Sequence, residues 1–217
     1  DMGLNGFVSG LTYLPPGAPP LPCLCGTDAG TLATGPVNAC LPADAQVPYN
    51  NDADLDGDDL LQYILFSDLT DTLGSILVTS NTPNIPFDPA ILQVGVTYYL
   101  ATIAGNDLNG NVDLSDPCLD LSNAAEVSWH PQPSVTFAVT NPDLCSGSCT
   151  TLSVTFTGSP PFALSGEVLS GANVVGTFNQ SYPSNMGTLE ICAPAGTAPG
   201  SMEVQAVGVA DAFCSCP

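Results

Sequence analysis

Gly95-Val96-Thr97-Tyr98-Tyr99-Leu100-Ala101-Thr102-Ile103-Ala104 is the run on which the fold turns. β-Branched and aromatic side chains fill it and a glycine opens it, which predicts a central strand. Working upstream, Asp59 to Val78 divides into Asp-Leu-Leu-Gln-Tyr-Ile-Leu-Phe-Ser-Asp and Leu-Thr-Asp-Thr-Leu-Gly-Ser-Ile-Leu-Val. These read as two strands joined by a polar turn over Ser67 to Thr72, and Phe87-Asp88-Pro89 reads as a further turn. Downstream, Thr151 to Phe156 alternates polar and apolar residues, as do Thr188 to Cys192 and Met202 to Val207. Gly and Pro, 21 of each, punctuate these runs, and no segment sustains a 3.6-residue period. The expectation is an all-β chain of two tandem immunoglobulin-like β-sandwich domains with an extended N-terminal strand and linker.

Charge divides the chain. Fifteen of its 17 Asp precede residue 121, and only Asp143 and Asp211 follow. The composition changes near His130-Pro131-Gln132-Pro133, where two prolines favour an extended linker. The expected organisation is an N-terminal strand and proline-rich linker over 1–22, an acidic β-sandwich repeat domain over 23–133 and an immunoglobulin-like sandwich over 134–217. Within 1–22, Leu4, Phe7, Val8, Leu11, Tyr13 and Leu14 read as a strand, followed by the stiff Pro15-Pro16-Gly17-Ala18-Pro19-Pro20-Leu21-Pro22. Such a strand either docks on its own domain or adds to the sheet of a neighbouring subunit.

The chain has no Lys and no Arg against 21 Asp and Glu, a formal charge of −21. Average usage would supply about 25 basic residues. Without them the protein cannot neutralise phosphates, so nucleic acid is excluded as a partner, as is adhesion to anionic bilayers through basic residues. No apolar run reaches the ~20 residues of a membrane span. Trypsin-like proteases find no cleavage site, which suits an extracellular setting. The start at Asp1, without Met or a signal pattern, reads as a mature product or as part of a longer chain.

Nine cysteines point the same way. Cys23/Cys25, Cys145/Cys149 and Cys214/Cys216 are closely spaced; only Cys145 and Cys149 have zinc-knuckle spacing, and His130 is the sole histidine, so disulfides are the default over zinc. The odd count leaves one thiol free, modified or paired with another chain. Cys40 with Cys118 is the expected tie across domain one, and Cys145 or Cys149 with Cys192 would cross the second sandwich. Cys23, Cys25, Cys214 and Cys216 would pair within their own domains or with a stacked neighbour.

Asn51-Asp52-Ala53-Asp54-Leu55-Asp56-Gly57-Asp58-Asp59 resembles the start of a calcium loop. Asp52, Asp54, Asp56 and Asp58 alternate, and Gly57 permits the turn that would converge hard oxygen donors on Ca²⁺. Tyr63 stands where an EF-hand needs its bidentate Glu, so the loop is not an EF-hand; the alternative is a solvated acidic turn. A second candidate comprises Asp107, Asn109, Asn111, Asp113 and Asp116, with a hairpin at Asn109-Gly110 as the alternative. Catalysis finds no footing: His130 lacks a nucleophile elbow, no carboxylate pair stands out, and phosphate and dinucleotide loops are missing from the sequence. Asn179-Gln180-Ser181 has the form of an N-glycosylation acceptor.

Taken in order, Tyr63-Ile64-Leu65-Phe66, Leu73-Gly74-Ser75-Ile76-Leu77, Phe87-Asp88-Pro89, Gly95 to Tyr99, Ala104-Gly105-Asn106, Asn111 to Leu114 and Asp116-Pro117-Cys118-Leu119 resemble a repeat of very large secreted surface proteins of Bacteroidota, of the gliding-motility-associated C-terminal secretion type. Cys145-Ser146-Gly147, Leu152 to Phe162 and the close Val209-Ala210-Asp211-Ala212-Phe213-Cys214-Ser215-Cys216 resemble the immunoglobulin-like module that alternates with it. The resemblance implies a repeat unit of an adhesin-like surface polymer, and it makes Thr72 in Asp71-Thr72-Leu73 an O-glycosylation candidate. The expected function is a structural subunit of an extracellular filament, a head-to-tail homopolymer held by disulfides and Ca²⁺. The alternative is a carbohydrate- or ligand-binding module reading surface glycans through Tyr13, Tyr98, Tyr99 or Trp129, although the last three read better as core or interface.

Overall fold

A computed structural model describes residues 25–139, 143–195 and 201–216. The segment expected over 1–22, and Cys23, lie outside the described residues. Every regular element described is a strand, and the strands form an immunoglobulin-like β-sandwich architecture.

In the first unit the strands are β1 (Val37–Cys40), β2 (Ala45–Gln46), β3 (Asp59–Phe66), β4 (Ile76–Ser80), β5 (Asn84–Ile85), β6 (Thr97–Leu108), β7 (Asn111–Val112), β8 (Asp120–Leu121) and β9 (Ala125–His130). The main sheet runs β1-β9-β6-β3-β4, with β7 and β8 added to β6 and a separate β2-β5 pair. β6 is the central strand expected from Gly95 to Ala104, and it extends four residues further. β1 lies parallel to β9, putting Cys40 beside His130.

Both faces of this sheet are covered, so β3 reads as a continuous apolar run from Tyr63 to Phe66. One face packs Tyr63, Leu65, Tyr98, Leu100, Val127 and Trp129 against Leu32, Val47, Ile85 and Leu92 from loops and short strands. The other gathers Ile64, Phe66, Ala101, Ile103 and Val112. The β3–β4 turn is longer than Ser67 to Thr72. Asp68 Oδ1 accepts the Thr70 N–H and Oγ1–H, Asp71 Oδ1 accepts the Gly74 N–H, and the Ser75 N–H reaches the Asp71 carbonyl. These local bonds hold Leu73-Gly74-Ser75 in the turn, and pairing starts at Ile76.

After Pro131-Gln132-Pro133 come β10 (Ser134–Val139), β11 (Cys149–Thr157), β12 (Phe162–Ser170), β13 (Asn173–Tyr182), β14 (Met186–Cys192), β15 (Met202–Ala210) and β16 (Ser215–Cys216). They form a three-stranded sheet, β10-β11-β14, and a four-stranded sheet, β13-β12-β15-β16. Alternation decides which side chains face inward. Leu152, Val154 and Phe156 of β11 meet Phe162, Leu164 and Val168 of β12, with Tyr182, Leu189, Ile191 and Val209 closing the core. Phe156 stacks on Phe162 with ring centroids 4.6 Å apart. The fourth strand, β13, sits on the β12 side, making this a seven-stranded Greek-key sandwich.

Candidate functional site

The two acidic loops are built largely by carboxylates satisfying the backbone. Asp52 accepts the Thr31 N–H at 2.7 Å and the Thr31 hydroxyl at 2.6 Å, one on each oxygen. The Thr31 hydroxyl, then its N–H, hold this carboxyl below its ordinary value. Asp54 pairs through its backbone with Asp28. Asp56 and Asp58 meet each other: their hydrogen bond, then the charge of Asp56, raises Asp58. Asp59 Oδ2 accepts the Thr27 hydroxyl and the Asp56 N–H. Its Oδ1 is buried with no hydrogen-bond partner among the described residues.

In the second loop Asn109 (φ 58°) and Gly110 (φ 86°) both take left-handed backbone, and Leu108 pairs with Asn111. That is a two-residue hairpin of the type Asn-Gly favours. Asp107 Oδ1 accepts the Gly110 N–H at 2.6 Å. Asp113 Oδ1 accepts the Ser115 hydroxyl and N–H, which lower its carboxyl. Asp116, 9 % exposed, bridges chain segments: Oδ2 accepts the Asn106 N–H at 2.7 Å and Oδ1 the Cys118 N–H at 2.8 Å. Alternating Asp and Asn here shapes turns. Among the described residues, the one group of three His, Cys, Asp or Glu ligand atoms within 4.8 Å of one another is Cys149, Glu190 and Cys192. Its two cysteines are bonded together, so it offers no thiolate.

The cysteines depart most from expectation. Cys40 does not pair with Cys118. Cys118 bonds to Cys25, 93 residues away, and Cys40 bonds to Cys214, 174 residues away. The reason is the register of β1 on β9, which brings Cys40 to the end of the first unit where the β15–β16 turn arrives. Cys25 thus pairs within its own unit, one of the expected outcomes, whereas Cys214 pairs with the other unit of the same chain and neither within its own domain nor with a neighbouring chain. Cys192 pairs with Cys149, but the bond joins directly opposed residues of adjacent strands on an exposed face and does not cross the sandwich. Cys145 is exposed and outside these three bonds, and the Cys216 thiol lies 3.8 Å from Gln132 Oε1.

Around Cys40–Cys214 the two units touch through rings and one carboxylate. His130 stacks on Phe213 at 3.9 Å and 13°. Its Nε2 lies 2.9 Å from Ser128 Oγ and 3.0 Å from Asn38 Oδ1. Burial lowers His130, and nearby Asp211 partly offsets that. Burial alone would raise Asp211, but the N–H groups of Ser159, Cys214 and Phe213 donate to it, and with His130 they hold it below its ordinary value. No single sequence motif announces this joint; Asp211 in the Val209-to-Cys216 close was its nearest signal.

Trp129 and Tyr98 are core residues, 0 % and 5 % exposed, and Tyr99 packs beside Phe66. Tyr13 lies outside the described residues. Thr72 stands half-buried in the β3–β4 turn, and Asn179 is exposed on β13.

The fold and joint define a tandem immunoglobulin-like protein with disulfide-linked units. No family model matches the sequence, and no curated protein matches it. Solved structures similar to it include the N-terminal four Ig domains of Dscam1 isoform 9.44, at 12 % identity and a TM-score of 0.31, over 88 % of this chain and 44 % of that one. The chain thus spans less than half the length of that structure. Others are the fibronectin(III)-like modules of Clostridium thermocellum CbhA, at 12 % identity, TM-score 0.26 and 82 % and 90 % coverage, and Dpr2 Ig1-Ig2 in complex with DIP-Theta Ig1-Ig3, at 14 %, 0.27, 80 % and 63 %.

Proposed function

We propose that this chain is a structural subunit of an extracellular, adhesin-like surface filament. The observation that carries the reading is the Cys40–Cys214 bond with the His130–Phe213 stack beside it. Together they turn two sandwiches into one stiff element, as a load-bearing repeat requires and a flexibly tethered binding module does not. Disulfides suit an oxidising environment outside the cell. The absence of Lys and Arg removes trypsin-like cleavage sites and leaves a surface with no Lys or Arg charge to offset its carboxylates. The resemblance to repeats of secreted Bacteroidota surface proteins supports the same role.

Ca²⁺ belongs to this reading as an ion that would draw Asp56, Asp58 and Asp59 together, since their oxygens do not yet converge. The charges of Asp56 and Asp59 act against that of Asp58, Asp59 Oδ1 is buried without a hydrogen-bond partner among the described residues, and hard oxygen donors suit that ion. Asp52 contributes less, because Thr31 already occupies both its oxygens. Sedimentation velocity of the oxidised protein across a concentration series tests the reading. Species growing with concentration support it, whereas a monomer at every concentration together with a saturable hit on a glycan array would favour the binding module.

A further inference from the structure

A polyanion without Lys or Arg has almost no ion pairs to offer between copies, so a surface where charge is missing is the least repulsive place for two copies to meet. Among the described strands, β13 is the longest that lies at a sheet edge: it has ten residues and pairs with β12 alone. No Asp or Glu occurs between Glu167 and Glu190. The guards that usually blunt an edge, a lysine or an internal proline, are absent from Asn173–Tyr182. One guard is present: β13 carries an extra residue at Val175, where the register with β12 shifts. That leaves Gly176 to Tyr182, seven residues in unbroken register with Phe162 to Val168, as a regular open edge. Val174 and Val175 are 50 % and 38 % exposed beside it.

The same chain contains a matching segment. Residues 2–27 hold no charged side chain, and Leu4 to Leu14 is rich in strand formers. Pro15 to Pro22 follows, and as polyproline it spans about 25 Å at ~3.1 Å per residue. That reach suffices to present a strand to another molecule. We propose that the Gly176–Tyr182 edge of β13 accepts residues 4–14 of a second copy as an added antiparallel or parallel strand, so that each copy gives one strand and takes one. The inference rests on the filament reading and names its joint. A head-to-tail donation of this kind is heterologous, and it propagates into an open filament wherever the rotation between copies does not close a ring.

The test uses the full chain carrying Val8→Pro and Leu11→Pro, which spoils the donor segment on both of its hydrogen-bonding sides and leaves every residue of the described cores unchanged. A fluorescent synthetic peptide of residues 1–22 should bind this variant saturably by anisotropy. Placing Asn179→Pro or Gln180→Pro in that same host tests the acceptor. One of these two residues has its N–H directed away from β12, so one variant should keep the host's thermal transition and still weaken peptide binding at least tenfold. In sedimentation, the wild-type chain should grow with concentration and the V8P/L11P chain should not. Failure of the peptide to bind, or equal growth of wild type and V8P/L11P, overturns strand exchange while leaving the filament intact with its joint elsewhere. A wild-type chain that stays monomeric, with β13 amides protected from hydrogen exchange and exposed by V8P/L11P, means the segment docks within its own molecule and also overturns the proposal.

Discussion

Replacing Cys40 and Cys214 with Ser removes the covalent bond between the units and leaves both cores intact. The loop closed by that bond spans 174 residues. Loop-closure entropy for that length is worth about 5 kcal/mol, and the shortcuts through the overlapping Cys25–Cys118 and nested Cys149–Cys192 bonds lower it by less than ~1 kcal/mol, because the dependence on length is logarithmic. For a chain of this size, each kcal/mol moves the midpoint by roughly 2–4 °C, so the expected loss is about 10–20 °C. Differential scanning calorimetry at pH 7.5 reads it. The oxidised wild type should unfold in one coupled transition. The double variant should resolve two transitions, because the linker, the His130–Phe213 stack and the Asp211 charge near His130 then couple the units without a covalent clamp. A single transition within about 2 °C of wild type would mean that this bond does not restrain the unfolded chain.

Other outcomes follow from the same structure. Lowering the pH through the ordinary histidine value of 6.5 should destabilise the protein, because burial holds folded His130 below that value and the unfolded chain takes up the proton first. Since His130 is the sole histidine, His130→Phe should keep the ring stack and flatten the melting temperature between pH 5.5 and 7. Asp116→Ala strips the acceptors from two backbone N–H groups and should cost about 3 kcal/mol in chemical denaturation. In the C40S/C214S background, Leu164→Ala should lower only the second unit's transition, by about 2–5 kcal/mol, because Leu164 is fully buried there. Calcium titration should raise the first unit's melting temperature, and Asp56→Asn with Asp58→Asn should abolish that rise; an unchanged response to chelator would exclude the ion.

Much of the fold was legible because burial writes itself into residue type. Tyr98 to Ala104 had to be a central strand, and the alternation at Thr151 to Phe156 identified β11. β12 and β13 were harder to find. Gly166 and Gly176 dilute their patterns, and Gly166 is forced by crowding, since a Cβ there would strike the Phe178 ring and the Gln205 carbonyl. The acidic motifs were visible but ambiguous, because alternating Asp and Asn serve metal loops and backbone-capped turns equally. Asp116 shows how a carboxylate is absorbed by the backbone, and Asp59 how one is left over. Disulfide pairing was least legible. Cys40 finds Cys214 only because a parallel β1–β9 ladder and the β15–β16 turn converge at the junction, which no local spacing encodes.

The proposed filament is a stack of stiff two-unit elements, and electron microscopy of the native material, in oxidising buffer and after reduction, would image it. Filaments are expected with an axial repeat close to the length of one two-unit element, their order lost when Cys40–Cys214 is reduced. Dispersed single molecules under both conditions would contradict it.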